Sequence, residues 1–436
     1  MKKLLFTLLI TFTVLQLSVG QTGSFVHVKD GHFYKGTERY RFLGANYWYG
    51  MYLGVAADGG DRARLKRELD QLKSMGVNNL RVMGSSEGTG KYQITPALLT
   101  SGGQYNEMLF QGLDFLLSEL ASRDMTAVLV LNNFWMWSGG MPQYVSEVDG
   151  TAIPYPFKED RGSWDEFINY SLQFFENKKA QNRYLQHIRT ILNRKNTVTG
   201  ITYKDDPVIL SWQLANEPRG YHKKGVYRKW IKKTAKFINR NDKNHMISLG
   251  TEGDTGSKRA GVDLYADNRI SAIDYATVHL WIQNWGWYDP QKPETFEKSI
   301  KKAADYIKSQ LKSAAKLNKP VVIEEFGVSR DNGNYQPDAT VAFRDQFYEF
   351  IFKTAYENMT DNGPVQGCNF WAWGGEGRPF EPGERWKGVY QGWRNTDDLI
   401  GDPPHEGQGW YSVYDKDETT IKMVTEYAQM INALSQ

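Results

Sequence analysis

Two glutamates stand at the ends of apolar stretches, where they could carry out acid–base chemistry. Glu217 closes the stretch VILSWQLANE, and Pro218 behind it cannot continue a strand and biases Glu217 away from helical geometry. Glu325 follows Glu324 in the stretch PVVIEEFG, and strand alternation predicts that at most one of these two side chains points into a shared pocket. Two carboxylates that face one pocket are typical of general acid–base and nucleophilic catalysis.

Further polar side chains lie at or near the ends of other apolar stretches. They are Asn46, Arg81, Asn132, Asn133, Asn216, Glu252 and His279. Each alone has an ordinary structural explanation, such as an ion pair, a turn or a satisfied core histidine. The set is harder to explain that way, because burying carboxylates without partners costs several kcal/mol. Together these residues predict acid–base catalysis by groups whose pKa values are shifted by their surroundings. No ligand spacing such as H-E-x-x-H occurs, so we expect neither a metal nor a cofactor.

Tryptophan is concentrated in particular parts of the chain. Of 14 tryptophans, 11 lie at predicted strand ends or in the loops that follow them: Trp48, Trp135, Trp137, Trp281, Trp285, Trp287, Trp371, Trp373, Trp386, Trp393 and Trp410. Flat rings with polar edges suit sugar faces, and we expect Trp48 and Trp135 to bind substrate. Several of the other rings are expected only to hold long loops in place.

The elements that position these residues alternate between strand-like and helix-like patterns. Eight apolar segments read as strands, at 41–48, 78–84, 126–135, 208–217, 245–253, 276–281, 320–327 and 365–373. Amphipathic stripes between them predict helices, as over 296–311 and 421–431. This order favours a single (β/α)8 barrel with extended βα loops, preceded by a β-hairpin around Asp30-Gly31. An open doubly wound sheet is the alternative, but the first strand is followed by aromatics rather than a phosphate loop.

Composition and the N-terminus indicate an exported protein. The 436 residues carry 53 basic and 50 acidic side chains, a net charge of +3 that argues against nucleic acid or an anionic membrane as partner. Lys2 and Lys3 precede an apolar run, and small residues before Gln21 predict a signal peptide over residues 1–20. A membrane anchor is the alternative, although the run is short for a span. Residues 21–436 then form one catalytic domain, which we expect to be monomeric and secreted or periplasmic.

The motifs resemble glycoside hydrolase family 5, a family of retaining (β/α)8 enzymes. LANEP is similar to the family's Asn-Glu-Pro, and IEEFG is similar to its Glu-aromatic-Gly. The resemblance implies that Glu217 is the general acid/base and Glu325 the nucleophile. GANYWYG, NNFWMWSGGMPQYV and HLWIQNWGW further resemble the family's endo-β-1,4-mannanase branch. The implied substrate is a β-mannan, glucomannan or galactomannan.

The resemblance also implies supporting roles. Arg81 would hold the nucleophile ionised, and Asn216 would bind the sugar 2-hydroxyl in the transition state. His279 would orient a carboxylate or a hydroxyl, and Trp371 would form the floor beneath the sugar at the point of cleavage. Many family members have His-x-Tyr after the sixth strand, whereas this chain ends the motif in Trp281, which lacks a hydroxyl and is assigned to substrate binding.

Three other functions remain open on the sequence. An exo-β-mannosidase or an endo-cellulase could use the same scaffold, and the long loop at 374–393 would favour exo action if it closed one end of the cleft. A carbohydrate-binding barrel without activity is a different class. It would have no need of both Glu217 and Glu325.

Overall fold

The computed structural model describes residues 23–255, 257–386 and 399–435. The predicted signal peptide and Trp393 lie outside these ranges, as does the end of the loop at 374–393. Within them, no helix is long and apolar enough to cross a bilayer.

Within the described residues, eight parallel strands form the barrel that the sequence predicts. They are β4 (Phe42–Asn46), β5 (Asn79–Met83), β6 (Thr126–Val130), β7 (Ile209–Gln213), β8 (Met246–Ser248), β9 (Ala276–Leu280), β10 (Val321–Phe326) and β11 (Val365–Phe370). Each pairs with its neighbours in order, and β11 returns to pair with β4. A bridge between Ser248 and Tyr275 links the remaining edges of β8 and β9, so the sheet closes on itself.

Helices follow the strands and cover the outside of the barrel. They are α1 (Gly50–Leu53), α2 (Arg62–Ser74), α3 (Glu107–Ser122), α4 (Gly140–Asp149), α5 (Trp164–Ser171), α6 (Lys178–Leu192), α7 (Lys224–Asn241), α8 (Leu264–Asn268), α9 (Phe296–Leu317), α10 (Ala342–Thr360) and α11 (Glu418–Ala433). The apolar stripes predicted at 296–311 and 421–431 face inward in α9 and α11, with Ala303, Ile307, Val424 and Ala428 buried.

A small antiparallel sheet closes the N-terminal end of the barrel. Its strands are β1 (Val26–Lys29), β2 (His32–Lys35) and β3 (Glu38–Arg39). Asp30 and Gly31 both have positive φ in the predicted hairpin turn, and β3 adds a strand that the sequence did not predict. Val26, Phe33 and Tyr40 pack on the first residues of the barrel strands in one apolar cluster. The opposite end of the barrel is therefore the one that is open for chemistry.

Two long connections at that open end carry side chains over the mouth. The segment between β6 and β7 includes a 3-10 turn at Met136–Ser138 and the helices α4 to α6. The segment after β11 is held in place by the pairing of β12 (Trp373–Gly375) with β13 (Val413–Tyr414). These are the extended βα loops that the sequence predicts.

Candidate active site

Glu217 lies at the mouth of the barrel, four residues beyond the last residue of β7. The strand is shorter than the predicted 208–217, but the backbone stays paired, because the Glu217 N–H donates to the Gly250 carbonyl at 2.9 Å. Glu217 has a φ of +46°, in the left-handed region that non-glycine residues rarely adopt. Pro218 disfavours right-handed helical geometry at Glu217, so the sequence accounts for part of this conformation. Such strain is typical of functional sites.

Glu325 and Glu324 both reach the interior, which corrects the expectation that strand alternation would send them to opposite faces. Glu325 forms an ion pair with Arg81 at the mouth. Glu324 lies one layer deeper, where both of its carboxylate oxygens accept from Gln213 Nε2, at 2.8 and 2.9 Å. The pairing of β10 with β9 shifts register between Ile323 and Glu325, and this irregularity breaks the simple alternation.

The carboxylates of Glu217 and Glu325 face each other across the mouth. One oxygen of each lies within 4.8 Å of the other, and His279 contributes an atom to the same group. This spacing suits a retaining glycosidase, whose carboxyls are about 5–5.5 Å apart. Among the described residues it is also the one His/Cys/Asp/Glu group compact enough to bind a metal. Arg81 already contacts Glu325, and its charge opposes a second cation there.

Arg81 holds the Glu325 side of the site together. Its guanidinium bonds Glu325, Asn46 Oδ1 at 3.0 Å, Asn216 Oδ1 at 2.8 Å and Gln213 Oε1 at 2.8 Å. A planar group with five fixed donors can satisfy four such acceptors at once, and a lysine could not. The sequence placed Arg81 here, but it did not identify Gln213, which looks like an ordinary strand residue.

His279 joins the two carboxylates. Its Nδ1 lies 2.8 Å from Glu217 Oε1 and 3.3 Å from Glu325 Oε2, while Nε2 lies 3.4 Å from Glu324 Oε2. The ring is fully buried. His279 therefore orients the carboxylates, as the sequence reasoning expects, and it reaches three of them rather than one.

This arrangement sets the protonation of the site. Burial acts to raise the pKa of Glu217, but the hydrogen bond and charge of His279 outweigh it and lower the pKa to about 2. Burial raises the pKa of Glu325 to about 7, and the charges of His279 and Arg81 offset only part of that effect. Burial would lower the pKa of His279, but the carboxylates around it raise the pKa to about 10. Arg81 thus favours the ionised form of Glu325, as predicted, without keeping it fully ionised at neutral pH.

A cavity of about 510 Å³ opens above the two carboxylates. Five tryptophans from the predicted set line it: Trp135, Trp137, Trp281, Trp285 and Trp371. The indole N–H of Trp135 donates to Glu217 Oε2 at 2.7 Å, so this ring holds the Glu217 carboxylate as well as lining the cavity. Trp371 Nε1 is buried and has no partner among the described residues, which leaves it free for a substrate hydroxyl.

Besides Arg81 and His279, two further predicted site residues do not line the cavity. Trp48 is 2% exposed, stands edge-on to Trp137 and donates its indole N–H to the Gly401 carbonyl at 3.1 Å. It supports a lining ring, which corrects the expectation that it binds substrate. Asn133 is also buried, and its Oδ1 accepts from Asn216 Nδ2 at 3.1 Å and from the backbone N–H of Trp135 at 3.0 Å. Asn133 therefore positions neighbours of Glu217.

Several lining residues were missed by sequence reasoning. They include Trp164, Arg219, Asn284, His405 and Glu406. Arg219 pairs with Glu252 at 2.6 Å and lies over the Trp135 ring, 4.8 Å from its centroid. The position of Arg219 directly after the Asn-Glu-Pro motif could have identified it as a residue of the site. The segment around His405 offered none, because it lies far along the chain from any strand end.

Comparisons with known proteins agree with this geometry. Residues 23–436 match a family model described as GH family 5 beta-mannosidase-like. A glycoside hydrolase family 5 mannosidase from Rhizomucor miehei is 38% identical with a TM-score of 0.85, over 94% of this chain and 98% of that one. Mannan endo-1,4-beta-mannosidase 1 from Oryza sativa subsp. japonica is 32% identical, over 81% of this chain and 79% of its own length. An endo-beta-1,4-mannanase from Thermotoga petrophila, 21% identical with a TM-score of 0.65 over 91% of this chain and 78% of that one, shares the fold.

Proposed function

This chain belongs to glycoside hydrolase family 5, and we propose that it hydrolyses β-mannosidic bonds with retention of anomeric configuration. The observation that carries the proposal is the approach of the Glu217 and Glu325 carboxylates to within 4.8 Å. An inverting enzyme needs a wider gap, about 6.5–9.5 Å, to admit a water between its carboxyls and the sugar. The mannosidase relatives support mannose as the sugar that is recognised.

Glu325 acts as the nucleophile and Glu217 as the acid/base. Glu325 attacks the anomeric carbon while Glu217 gives its proton to the leaving oxygen, which forms a glycosyl-enzyme ester and releases the aglycone. A water then attacks the same anomeric carbon on the face opposite the ester bond, Glu217 takes a proton from that water, and Glu325 leaves as a carboxylate. Arg81 stabilises the carboxylate form of Glu325 both before it attacks and after it leaves.

The proton needed for the first step can reach Glu217 through His279. Glu325 has the higher pKa of the two carboxyls. His279 Nδ1 contacts both of them, at 2.8 and 3.3 Å, so a proton can pass from one to the other through the imidazole. Two coupled carboxyls hold their last proton as a pair, and binding of the glycosidic oxygen near Glu217 favours its transfer to that side.

We propose that cleavage occurs at chain ends, releasing mannose. His405 and Glu406, from the segment between β12 and β13, line the same cavity as the catalytic pair. Burial raises the pKa of Glu406 well above its usual range, and the charges of Asp402, Glu325 and Glu217 add to that effect. Side chains of this segment in the cavity of the pair support a site that is narrowed on that side and suits a chain end better than a long chain.

Internal cleavage is the second candidate. Plant relatives about 30% identical to this chain are named mannan endo-1,4-beta-mannosidases, and this favours an open cleft that accepts a polysaccharide. The sequence motifs also indicate internal cleavage, which therefore stays a proposal supported by these relatives.

Early products from a long linear mannan decide between these candidates. Chain-end cleavage releases mannose alone from the first minutes, whereas internal cleavage yields mixed oligosaccharides and a rapid fall in viscosity. Parallel assays on 4-nitrophenyl β-mannoside and β-glucoside test the sugar. A higher rate on the glucoside would contradict mannose specificity. Binding to mannan with no gain in reducing ends would contradict hydrolysis altogether.

Export completes the proposal. A signal peptide over residues 1–20, a secreted or periplasmic location and a monomeric state suit an enzyme whose substrate is a polysaccharide outside the cytoplasm. Mass spectrometry of the mature N-terminus checks the cleavage before Gln21, and light scattering checks the oligomeric state.

A further inference from the structure

A second cavity of about 450 Å³ adjoins the catalytic one. The two share Trp164, Asn284, His405 and Glu406, which therefore stand between them. Within the described part of the chain, the residues that line only the second cavity are Phe157, Glu159, Tyr335, Gly383, Glu384, Arg385, Gly407 and Trp410. The proposed hydrolysis uses none of these eight.

The aromatic side chains of this cavity are held in place. Tyr335 lies close to Gly383 and Gly407, where a Cβ would come within 3.3 and 2.7 Å of its ring. A larger residue in place of Gly407 would clash with the Tyr335 ring. Trp410 stacks on Tyr411 with ring centroids 4.6 Å apart and planes 16° from parallel. Rings fixed in this way offer faces to a ligand at little entropic cost.

The shared wall contains polar atoms that nothing in the described part of the chain satisfies. His405 Nδ1 and Glu406 Oε2 are buried and have no hydrogen-bond partner there. Burial and the charge of Arg385 lower the pKa of His405 to about 3, and burial raises that of Glu406 well above its usual range, so both groups are neutral near pH 7. A neutral imidazole and a protonated carboxyl can each donate and accept, which suits hydroxyl groups.

The charges of the lining favour an uncharged ligand. With Glu406 protonated, the charged side chains among the described lining residues are the acidic Glu159 and Glu384 and the basic Arg385. The Arg385 guanidinium is already placed 3.9 Å from Glu159 and lies over the Phe157 ring, 4.4 Å from its centroid. A phosphate or a uronic acid would therefore meet more carboxylates than available cations.

We propose that this second cavity binds one further pyranose unit of the substrate whose β-mannosidic bond is cleaved in the adjoining catalytic cavity. The inference rests on the proposed function, because the unit must be joined to the sugar above Glu217 and Glu325. Aromatic faces with hydroxyl-binding groups at their edges are the usual means of holding a neutral sugar. The unit has two possible sources, a single-sugar side branch on the backbone or the next sugar of the backbone itself.

Variants confined to the second cavity test this. Trp410→Ala and Tyr335→Ala remove its aromatic faces, and Arg385→Ala removes a half-exposed side chain. Tyr265→Ala, at an exposed tyrosine on α8 that lines neither cavity, is the matched control. KM and kcat are measured on 4-nitrophenyl β-mannoside, linear mannotetraose and a galactosyl-branched mannotriose, and thermal melting confirms that each variant is folded.

We expect KM for the aryl mannoside to stay within about twofold of wild type in every variant. KM for one of the two larger substrates should rise about fivefold or more in at least two of the three cavity variants. A rise with the branched trisaccharide identifies a branch site, and a rise with mannotetraose identifies a backbone site. Unchanged KM for both larger substrates, or an equal change with the aryl mannoside, would overturn the proposal. A wild-type enzyme inactive on every mannoside would instead contradict the proposed function.

Discussion

The two ends of the barrel use the same eight strands for opposite purposes. At the N-terminal end, Phe33 from the small antiparallel sheet packs on Phe42 and Tyr275 with its ring completely buried. At the other end, Glu217, Glu325 and Arg81 are almost as deeply buried, yet they are charged or share protons. Burial therefore stabilises the fold at one end and tunes acidity at the other.

This difference shows where the molecule stores its strain. The closed end is built mainly from apolar contact and regular strand pairing, and the positive φ of Asp30 lies in a hairpin turn, although His32 Nδ1 and Arg39 Nε there also lack partners among the described residues. The mouth keeps a non-glycine residue in left-handed geometry at Glu217 and leaves Trp371 Nε1, His405 Nδ1 and Glu406 Oε2 without partners among the described residues. We therefore expect substitutions at the mouth to change rates and substitutions at the closed end to change stability.

The largest expected effect is the loss of a catalytic carboxylate. Glu325→Ala should lower kcat at least about 10⁴-fold, because no other group can attack the anomeric carbon. Glu217→Ala should cost about 10²–10⁴-fold on a mannoside with a poor leaving group and less on a dinitrophenyl mannoside, which leaves without acid assistance. Glu349→Ala, at an exposed glutamate on α10, is the control. Circular dichroism should show all three folded, and wild-type activity in either mouth variant would exclude its assigned role.

Arg81→Lys should produce the next largest effect. A lysine keeps the charge but cannot bond Asn46, Asn216, Gln213 and Glu325 together, so the nucleophile loses its alignment. We expect kcat/KM to fall about 10²-fold. Arg228→Lys on α7, where a partly exposed Arg228 pairs with the buried Asp267 outside the cavity lining, controls for the substitution itself. Equal activity in the two variants would show that charge alone suffices at Arg81.

Phe33→Ala tests the closed end. Removing a fully buried phenylalanine should lower the free energy of unfolding by about 3–5 kcal/mol. Urea denaturation measures this loss, and kcat at a temperature where the variant is folded should stay within about twofold of wild type. A large fall in kcat of folded protein would mean that the two ends are coupled, and the comparison above would fail.

Trp135→Phe should have a moderate effect that depends on pH. The indole N–H stabilises the ionised form of Glu217, so its loss raises the pKa of Glu217 and moves the acidic limb of kcat/KM to higher pH. The alkaline limb should stay near pH 7, where the raised pKa of Glu325 marks loss of the last proton of the pair. Trp137→Phe lines the same cavity without this bond and should leave the acidic limb in place. The same shift in both variants would refute the role of the bond.

Trp48→Phe should have the smallest effect. The ring lies behind Trp137 and outside the cavity, so we expect KM within about threefold of wild type and a modest loss of stability. A tenfold rise in KM would restore Trp48 as a substrate-binding residue.

The sequence predicts the barrel and the catalytic pair because both leave local signals. Apolar segments alternate with amphipathic helices, and Glu217 and Glu325 each follow such a segment. What the sequence missed depends on long-range packing. The inward turn of Glu324 depends on a register shift against β9, and His405 reaches the mouth only because β12 and β13 pair across a long segment. Neither event has a local sequence signature, and burial of Trp48 was likewise decided by its neighbours.

The stereochemistry of the first product tests the central claim most directly. Proton NMR of a freshly mixed reaction with an aryl β-mannoside resolves the two mannose anomers before they equilibrate. Carboxylates within 4.8 Å of each other predict that β-mannose forms first and that α-mannose appears later at the rate of mutarotation. Formation of α-mannose first would show that water attacks directly, and the assignment of Glu325 as nucleophile would be wrong.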